Sequence, residues 1–262
     1  MKMTACLALA ASIVAPAALA DDCRYSKDID LEFDSDDVAR LIVEVDSGYL
    51  NVRGAGNGSQ LVIRGRACAD DEDKLDGLDL VSDQRGRDLE VRMEAESNTG
   101  NLNFSFFNTS WSTYAYIDVD IDIPAGMALE IDDGSGSIDI RDTVGDLRID
   151  DGSGSINIRG VAGNVDIRDG SGGIEIRDVT GSVRVNDGSG SITIREVSGD
   201  VEIPDDGSGS IDISNVGGSV VIDDDGSGSI DVYDVDGDFI ARSTGSGGVD
   251  YGRIGGRVDV RD

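Results

Sequence analysis

The sequence predicts an all-β fold: a parallel β-solenoid (β-helix) of about seven coils of 18–19 residues, preceded by irregular β-strands. Three observations carry that reading. A Gly-Ser-Gly-Ser-Ile-like segment recurs with its first glycine at Gly134, Gly152, Gly170, Gly188, Gly207, Gly226 and Gly245, at spacings of 18, 18, 18, 19, 19 and 19 residues. Aliphatic residues fall at the same places in every copy. Further glycines punctuate each copy at two corners.

Counted from the first glycine as zero, the apolar offsets are 4, 6, 9, 13 and 15. Offset 4 carries Ile138, Ile156, Ile174, Ile192, Ile211, Ile230 and Val249, and offset 13 carries Leu147, Val165, Val183, Val201, Val220, Phe239 and Val258. The pairs 4/6 and 13/15 show the period of two that marks a strand with one buried face. Glycines at offsets 0 and 2, and again at offset 11, supply the backbone freedom that tight corners require. Each copy therefore reads as strand, turn, strand, turn. So small a unit buries its apolar side only by stacking on its neighbours, with strands paired in parallel about 4.8 Å apart. Two known coils of similar period do not fit. A left-handed hexapeptide helix wants an aliphatic residue every six positions, and the calcium β-roll wants an Asp where this chain has Ile.

The region ahead of the repeats is less regular but β-like. Leu41–Val45 leading into Asp46–Gly54, then Gln60–Arg64, Leu89–Met93 and Ile117–Pro124, alternate apolar and polar residues, as strands that cap or continue the stack do. Met127 to Ile131 resembles half a coil, and helix content is expected to be very low. The first twenty residues read as an export signal: Lys2, the apolar run Ala5 to Ala15, and a small-residue cleavage site at Ala18-Leu19-Ala20. The domain reading is thus 1–20 signal peptide, 21–133 N-terminal β region and cap, and 134–262 repeat solenoid. A periplasmic or secreted location follows, without membrane insertion.

Composition narrows the chemistry. The net charge is −31, and removal of the leader deletes Lys2 and makes the chain one unit more acidic. Nucleic acid is disfavoured as a partner. There is no histidine, which excludes a serine triad, a His-ligated zinc site and haem ligation through His. The two cysteines beyond the leader, Cys23 and Cys68, are expected to form a disulfide in an oxidising compartment, free thiols and an intermolecular bridge being the alternatives.

The segments Val45-Asp46-Ser47-Gly48-Tyr49-Leu50-Asn51-Val52-Arg53-Gly54, Pro124-Ala125-Gly126 and Leu129-Glu130-Ile131-Asp132-Asp133-Gly134-Ser135-Gly136-Ser137-Ile138 resemble the bacterial putative-adhesin domain family of unknown function. That resemblance implies an extracytoplasmic β-solenoid with Gly-Ser-Gly-Asp-like turns, and brings no catalytic residues with it.

Four features are candidates for function. Asp133, Asp151, Asp169, Asp187, Asp206 and Asp225 precede the corner glycines, often beside a second Asp such as Asp132, Asp150, Asp205 or Asp224. They read as turn formers that bond nearby backbone N–H groups, or alternatively as a row for Ca²⁺, a hard cation that takes oxygen ligands. Arg141, Arg159, Arg177 and Arg195 at offset 7 face outward beside Asp139, Asn157, Glu175 and Thr193, as a mutually neutralised surface or an anion- or sugar-binding strip. Half of the twelve aromatics crowd into Phe104, Phe106, Phe107, Trp111, Tyr114 and Tyr116, as a cap over the core or a ligand platform. Paired carboxylates also admit a polysaccharide-active enzyme, but coils of only 18 or 19 residues leave no loops to build its cleft. The expectation is a non-enzymatic scaffold or adhesion and interaction module, with no catalytic residues, cofactor or metal. Its partner would be a protein or polysaccharide of the cell envelope. Self-association through the C-terminal edge, guarded by Arg253, Arg257 and Arg261, is a further expectation.

Overall fold

A computed structural model of the chain describes residues 23–261, apart from 57, 59 and 96–113. The expected leader, and Phe104, Phe106, Phe107 and Trp111, lie outside the described residues. Alternating sequence becomes strand almost throughout. The N-terminal elements are β1 (Tyr25–Asp34), a 3₁₀ turn (Ser35–Asp37), β2 (Arg40–Val45), β3 (Gly48–Gly54), β4 (Gln60–Ala69), a short helix α1 (Glu72–Gly77), β5 (Leu78–Arg85), β6 (Asp88–Ala95), β7 (Ala115–Ile123) and β8 (Ala128–Asp133). The repeats follow, two strands to a coil: β9 and β10 (Gly136–Val144, Leu147–Asp151), β11 and β12 (Gly154–Ala162, Val165–Asp169), and β13 and β14 (Gly172–Val179, Val183–Asp187). Then come β15 and β16 (Gly190–Val197, Val201–Asp206), β17 and β18 (Ile211–Val216, Val220–Ile222), β19 and β20 (Ile230–Val235, Phe239–Ala241), and β21 and β22 (Val249–Ile254, Val258–Val260).

The strands form two sheets of 11 strands. One runs β1-β4-β7-β3-β9-β11-β13-β15-β17-β19-β21, and the other β22-β20-β18-β16-β14-β12-β10-β8-β2-β6-β5. Within the repeats every pairing is parallel and joins equivalent residues, as in Ile156↔Ile174 and Val165↔Val183. The aliphatic residues of both sheets meet between them: Ile174, Ile176, Val179, Val183 and Val185 of one coil are all at most 1 % exposed. Each such side chain contributes roughly 1.5–3 kcal/mol of burial, set against the entropy of ordering the coil.

Spatial order departs from chain order ahead of the repeats. The β2–β3 corner forms a coil directly beneath β8–β9, with Val45↔Asp133 and Gly48↔Gly136 in register. After β3 the chain leaves this coil, and β6 and β7 pair in parallel with β2 and β3 to make the coil below. Antiparallel β4 and β1 finish one sheet, and antiparallel β5 the other. The N-terminal strands thus both continue the stack and cap it. The cap carries the two cysteines, disulfide-bonded in the structure with their α-carbons 5.7 Å apart.

Two local devices explain the spacing of the repeat. Offset 8 is left-handed in each of the seven repeats, at Asp142, Asp178, Glu196, Asn215, Asp234 and Arg253 (φ 55–60°) and at Gly160 (φ 73°). This residue drops out of the ladder, as Arg159↔Arg177 is followed by Val161↔Val179. Inward facing therefore jumps from offset 6 to offset 9. The second device lengthens the coil. Between Arg184↔Glu202 and Asn186↔Asp205 the register shifts by one residue. The extra residue falls at Ile203-Pro204, where proline's missing N–H is harmless.

Candidate functional site

The alternation Leu147, Ile149, Asp151 sends the aspartate of each corner the same way as the core aliphatics. Asp133, Asp151, Asp169, Asp187, Asp206 and Asp225 are accordingly between 1 % and 7 % exposed, whereas Asp132, Asp150, Asp205 and Asp224 face solvent. The six lie in register, as Asp133↔Asp151, Asp151↔Asp169 and Asp169↔Asp187 show. Val45 occupies the equivalent place at one end of the column, and buried Thr244 at the other.

Each of the first four aspartates accepts a hydrogen bond through Oδ1 from the backbone N–H two residues on. Those donors are Ser135, Ser153, Ser171 and Ser189, at 3.1–3.2 Å. This is the turn chemistry the sequence suggested, carried out inside the corner. The Oδ2 atoms of these four, and both carboxylate oxygens of Asp206 and Asp225, are buried without a hydrogen-bond partner. Glycine at offset 2 lets the corner close on the coil below: a Cβ on Gly136 would stand 2.0 Å from the carbonyl oxygen of Gly48.

Loss of water is the main force on these carboxyl groups. It raises Asp133 and Asp187 to about 6, and Asp151 and Asp206 to about 7. Asp169 and Asp225 are raised for the same reason. Charge on the next aspartate adds to the effect: Asp133 and Asp169 act on Asp151, and Asp187 and Asp225 on Asp206. Among the described residues no group of three or more His, Cys, Asp or Glu side chains is arranged to hold a metal ion.

On the outer face of the first sheet, Arg53, Arg141, Arg159, Arg177 and Arg195 stand in register along the stack. Arg141 pairs with Asp139 at 2.6 Å, Arg159 with Asp178 at 3.3 Å, Arg195 with Asp212 at 3.2 Å, and Arg177 with Glu175. The partners of Arg159 and Arg195 come from the next coil, so the expected neutralised surface is also stitched between coils. A shallow groove of about 580 Å³ runs here, lined by Asp139, Arg141, Asn157, Arg159, Glu175 and Arg177. Tyr114 and Tyr116, the members of the aromatic group among the described residues, are half-buried. With Tyr49, Asp118 and Ser135 they line a second groove of about 650 Å³.

At the corner opposite the aspartates, offset 12 forms a ladder that the sequence reading passed over. Asp146 Oδ1 accepts from Asn164 N–H (2.9 Å), Asn164 Oδ1 from Ser182 N–H (3.0 Å), and Ser182 Oγ from Asp200 N–H (3.1 Å). The chain of bonds continues from Asp200 to Ser219, from Ser219 to Asp238 and from Asp238 to Arg257. The signal was a short side-chain acceptor at one offset in successive coils.

Among known proteins, three solved structures illustrate what the chain is similar to. One described as a putative lipid binding protein from Parabacteroides distasonis is 17 % identical, with 90 % of this chain and 94 % of that one covered and a TM-score of 0.49. A putative cell adhesion protein from Clostridium sporogenes is 11 % identical over 90 % of this chain and 100 % of that one, with a TM-score of 0.37. A putative adhesin from Bacteroides fragilis is 12 % identical over 90 % and 97 %, with a TM-score of 0.27. No curated protein matches the chain. The profile of the Toastrack DUF4097 family matches residues 63–250, from β4 of the cap to the last coil, and the chain belongs to that family.

Proposed function

We propose that this protein is a non-enzymatic scaffold of the cell envelope or of the secreted space, presenting the outer face of its solenoid to a protein or polysaccharide partner. The supporting observation is the arginine column with its groove, repeated at the coil spacing on a rigid sheet. Guanidinium groups at a fixed spacing suit a protein or polysaccharide that offers carboxylate groups at regular intervals, since the planar fork engages a carboxylate in bidentate fashion. The carboxylate partners of Arg159, Arg177 and Arg195 are exposed, and pairs of that kind are weak, whereas Asp139 beside Arg141 is mostly covered. An adhesion-like module also accords with the names given to the similar solved structures.

The test is binding of the chain from residue 21 onward to isolated envelope polysaccharide and, separately, to the envelope protein fraction, with and without calcium. Arg159→Glu with Arg177→Glu is expected to lower binding at least about tenfold while leaving the melting temperature within a few degrees, as exposed pairs allow. Undiminished binding by that variant would remove this face from the proposal.

A further inference from the structure

We propose that the buried aspartate column is a proton-binding seam, and that protons taken up there tighten the solenoid as its surroundings become acidic. Six carboxyl groups lie in register in one closed corner, each residue at least nine-tenths buried and each with at least one oxygen that no protein donor reaches. A buried carboxylate with an unfilled acceptor site costs far more than the same group protonated, because the neutral form gives up little hydration.

Among the described residues the groups that act on the column offer no counter-charge. Asp46 and Asp132 bear on Asp133, the column members bear on one another, and Asp224 bears on Asp225. The remaining contacts are backbone N–H groups of the corner serines and glycines, and the ends are closed by Val45 and Thr244. A proton from solvent adds to a carboxylate oxygen to give a neutral acid, and no other bond changes.

The sign follows from the raised carboxyl groups. Asp133, Asp151, Asp187 and Asp206 have an ordinary value of 3.8 and are raised in the fold to about 6 to 7, and Asp169 and Asp225 are raised in the same direction. The folded form therefore binds protons more tightly. The stabilisation is complete below about pH 4 and is lost as the pH rises through 6 and 7. Because neighbours interact, the column titrates as a set rather than residue by residue. The exposed aspartates held low by arginine, such as Asp88 and Asp234, act in the opposite direction, but as surface pairs they contribute little.

The experiment measures melting temperature from pH 4.5 to 8.5 for the wild-type chain and for Asp151→Asn, Asp206→Asn and the double variant, with and without calcium and EDTA. In parallel, infrared spectroscopy of the wild-type protein follows the carbonyl stretch of protonated carboxyl groups. The wild-type melting temperature is expected to fall by roughly 5–10 °C between pH 5 and pH 8. A protonated-carboxyl band should persist at pH 6, well above the usual aspartate range. The asparagine variants should melt higher than wild type at pH 8 and show a flatter pH dependence. The absence of that band at pH 6 would overturn the proposal even if no variant folds. A wild-type melting temperature that EDTA lowers at pH 8 would overturn it in favour of a bound cation.

Discussion

Gly172 faces the carbonyl oxygen of Gly154 one coil below, so closely that a Cβ on Gly172 would stand 1.5 Å from that oxygen. Its φ is +147°, and Gly136, Gly154, Gly190, Gly209 and Gly228 hold the same conformation at offset 2. No side chain fits here, because the obstacle is backbone that belongs to the sheet itself. Gly173, the next residue, has open space where its Cβ would be. Gly172→Ala is therefore expected to cost on the order of 4 kcal/mol or more, and Gly173→Ser to stay within about 0.5 kcal/mol of wild type. Urea unfolding of the two variants checks the contrast between adjacent glycines.

The left-handed column at offset 8 gives a substitution that stabilises. Glu196 is held at φ 60° with a full side chain, a conformation that costs an L-residue about 1–2 kcal/mol. Glycine relieves that cost but adds about 0.4–1 kcal/mol of freedom to the unfolded chain. Glu196→Gly should thus gain about 0.5–1 kcal/mol. Gly160 already occupies this place, and Gly160→Val should lose about 1–3 kcal/mol, since a β-branched residue tolerates the conformation least. Denaturation midpoints that moved the same way for both changes would contradict this account of the column.

Much of this was legible because a parallel stack repeats its environment at every coil. Ile156, Ile174 and Ile192 meet identical neighbours, so one offset in the sequence is one column in space. The inward turn of Asp151 was equally present, two residues after Ile149 and on the same face, but aspartate beside a turn glycine suggests solvent. The left-handed column was foreshadowed by the odd step from offset 6 to offset 9, and by Asp, Asn and Gly between them. What the sequence did not show was the order of the first coils. Once the chain leaves β3 and returns at β8, no repeated segment records that β6 and β7 stack beneath β2 and β3.

The offset-12 ladder predicts a modest and specific loss. Asn164 receives Ser182 N–H at 3.0 Å and donates to Asp146 through its own N–H and its amide. Asn164→Ala removes the side-chain acceptor and donor together, and a cost of about 1 kcal/mol is expected for partners that water can reach. Asn164→Asp keeps an acceptor for Ser182 but places a carboxylate against that of Asp146, so it should recover only part of the loss. Recovery should improve in high salt, where like charges are screened. Guanidinium and urea midpoints, compared for both variants, give the measurement.

The disulfide predicts where stability lies along the stack. Cys23 and Cys68 are 45 residues apart in sequence and pin the start of β1 to the end of β4. A closed loop of that length is worth roughly 2–4 kcal/mol when the unfolded chain is constrained. In a solenoid each coil contacts mainly its neighbours, so the loss on reduction is expected to be local. Among the described residues β1 is the outermost strand of its sheet and pairs with β4 alone. Reduction should therefore increase amide exchange in β1 and at the β4 residues opposite it, while strands β11 to β18 keep their protection. An equal rise across those coils would mean that cap and coils open as one unit, and that the seal at Cys23 and Cys68 governs the whole stack.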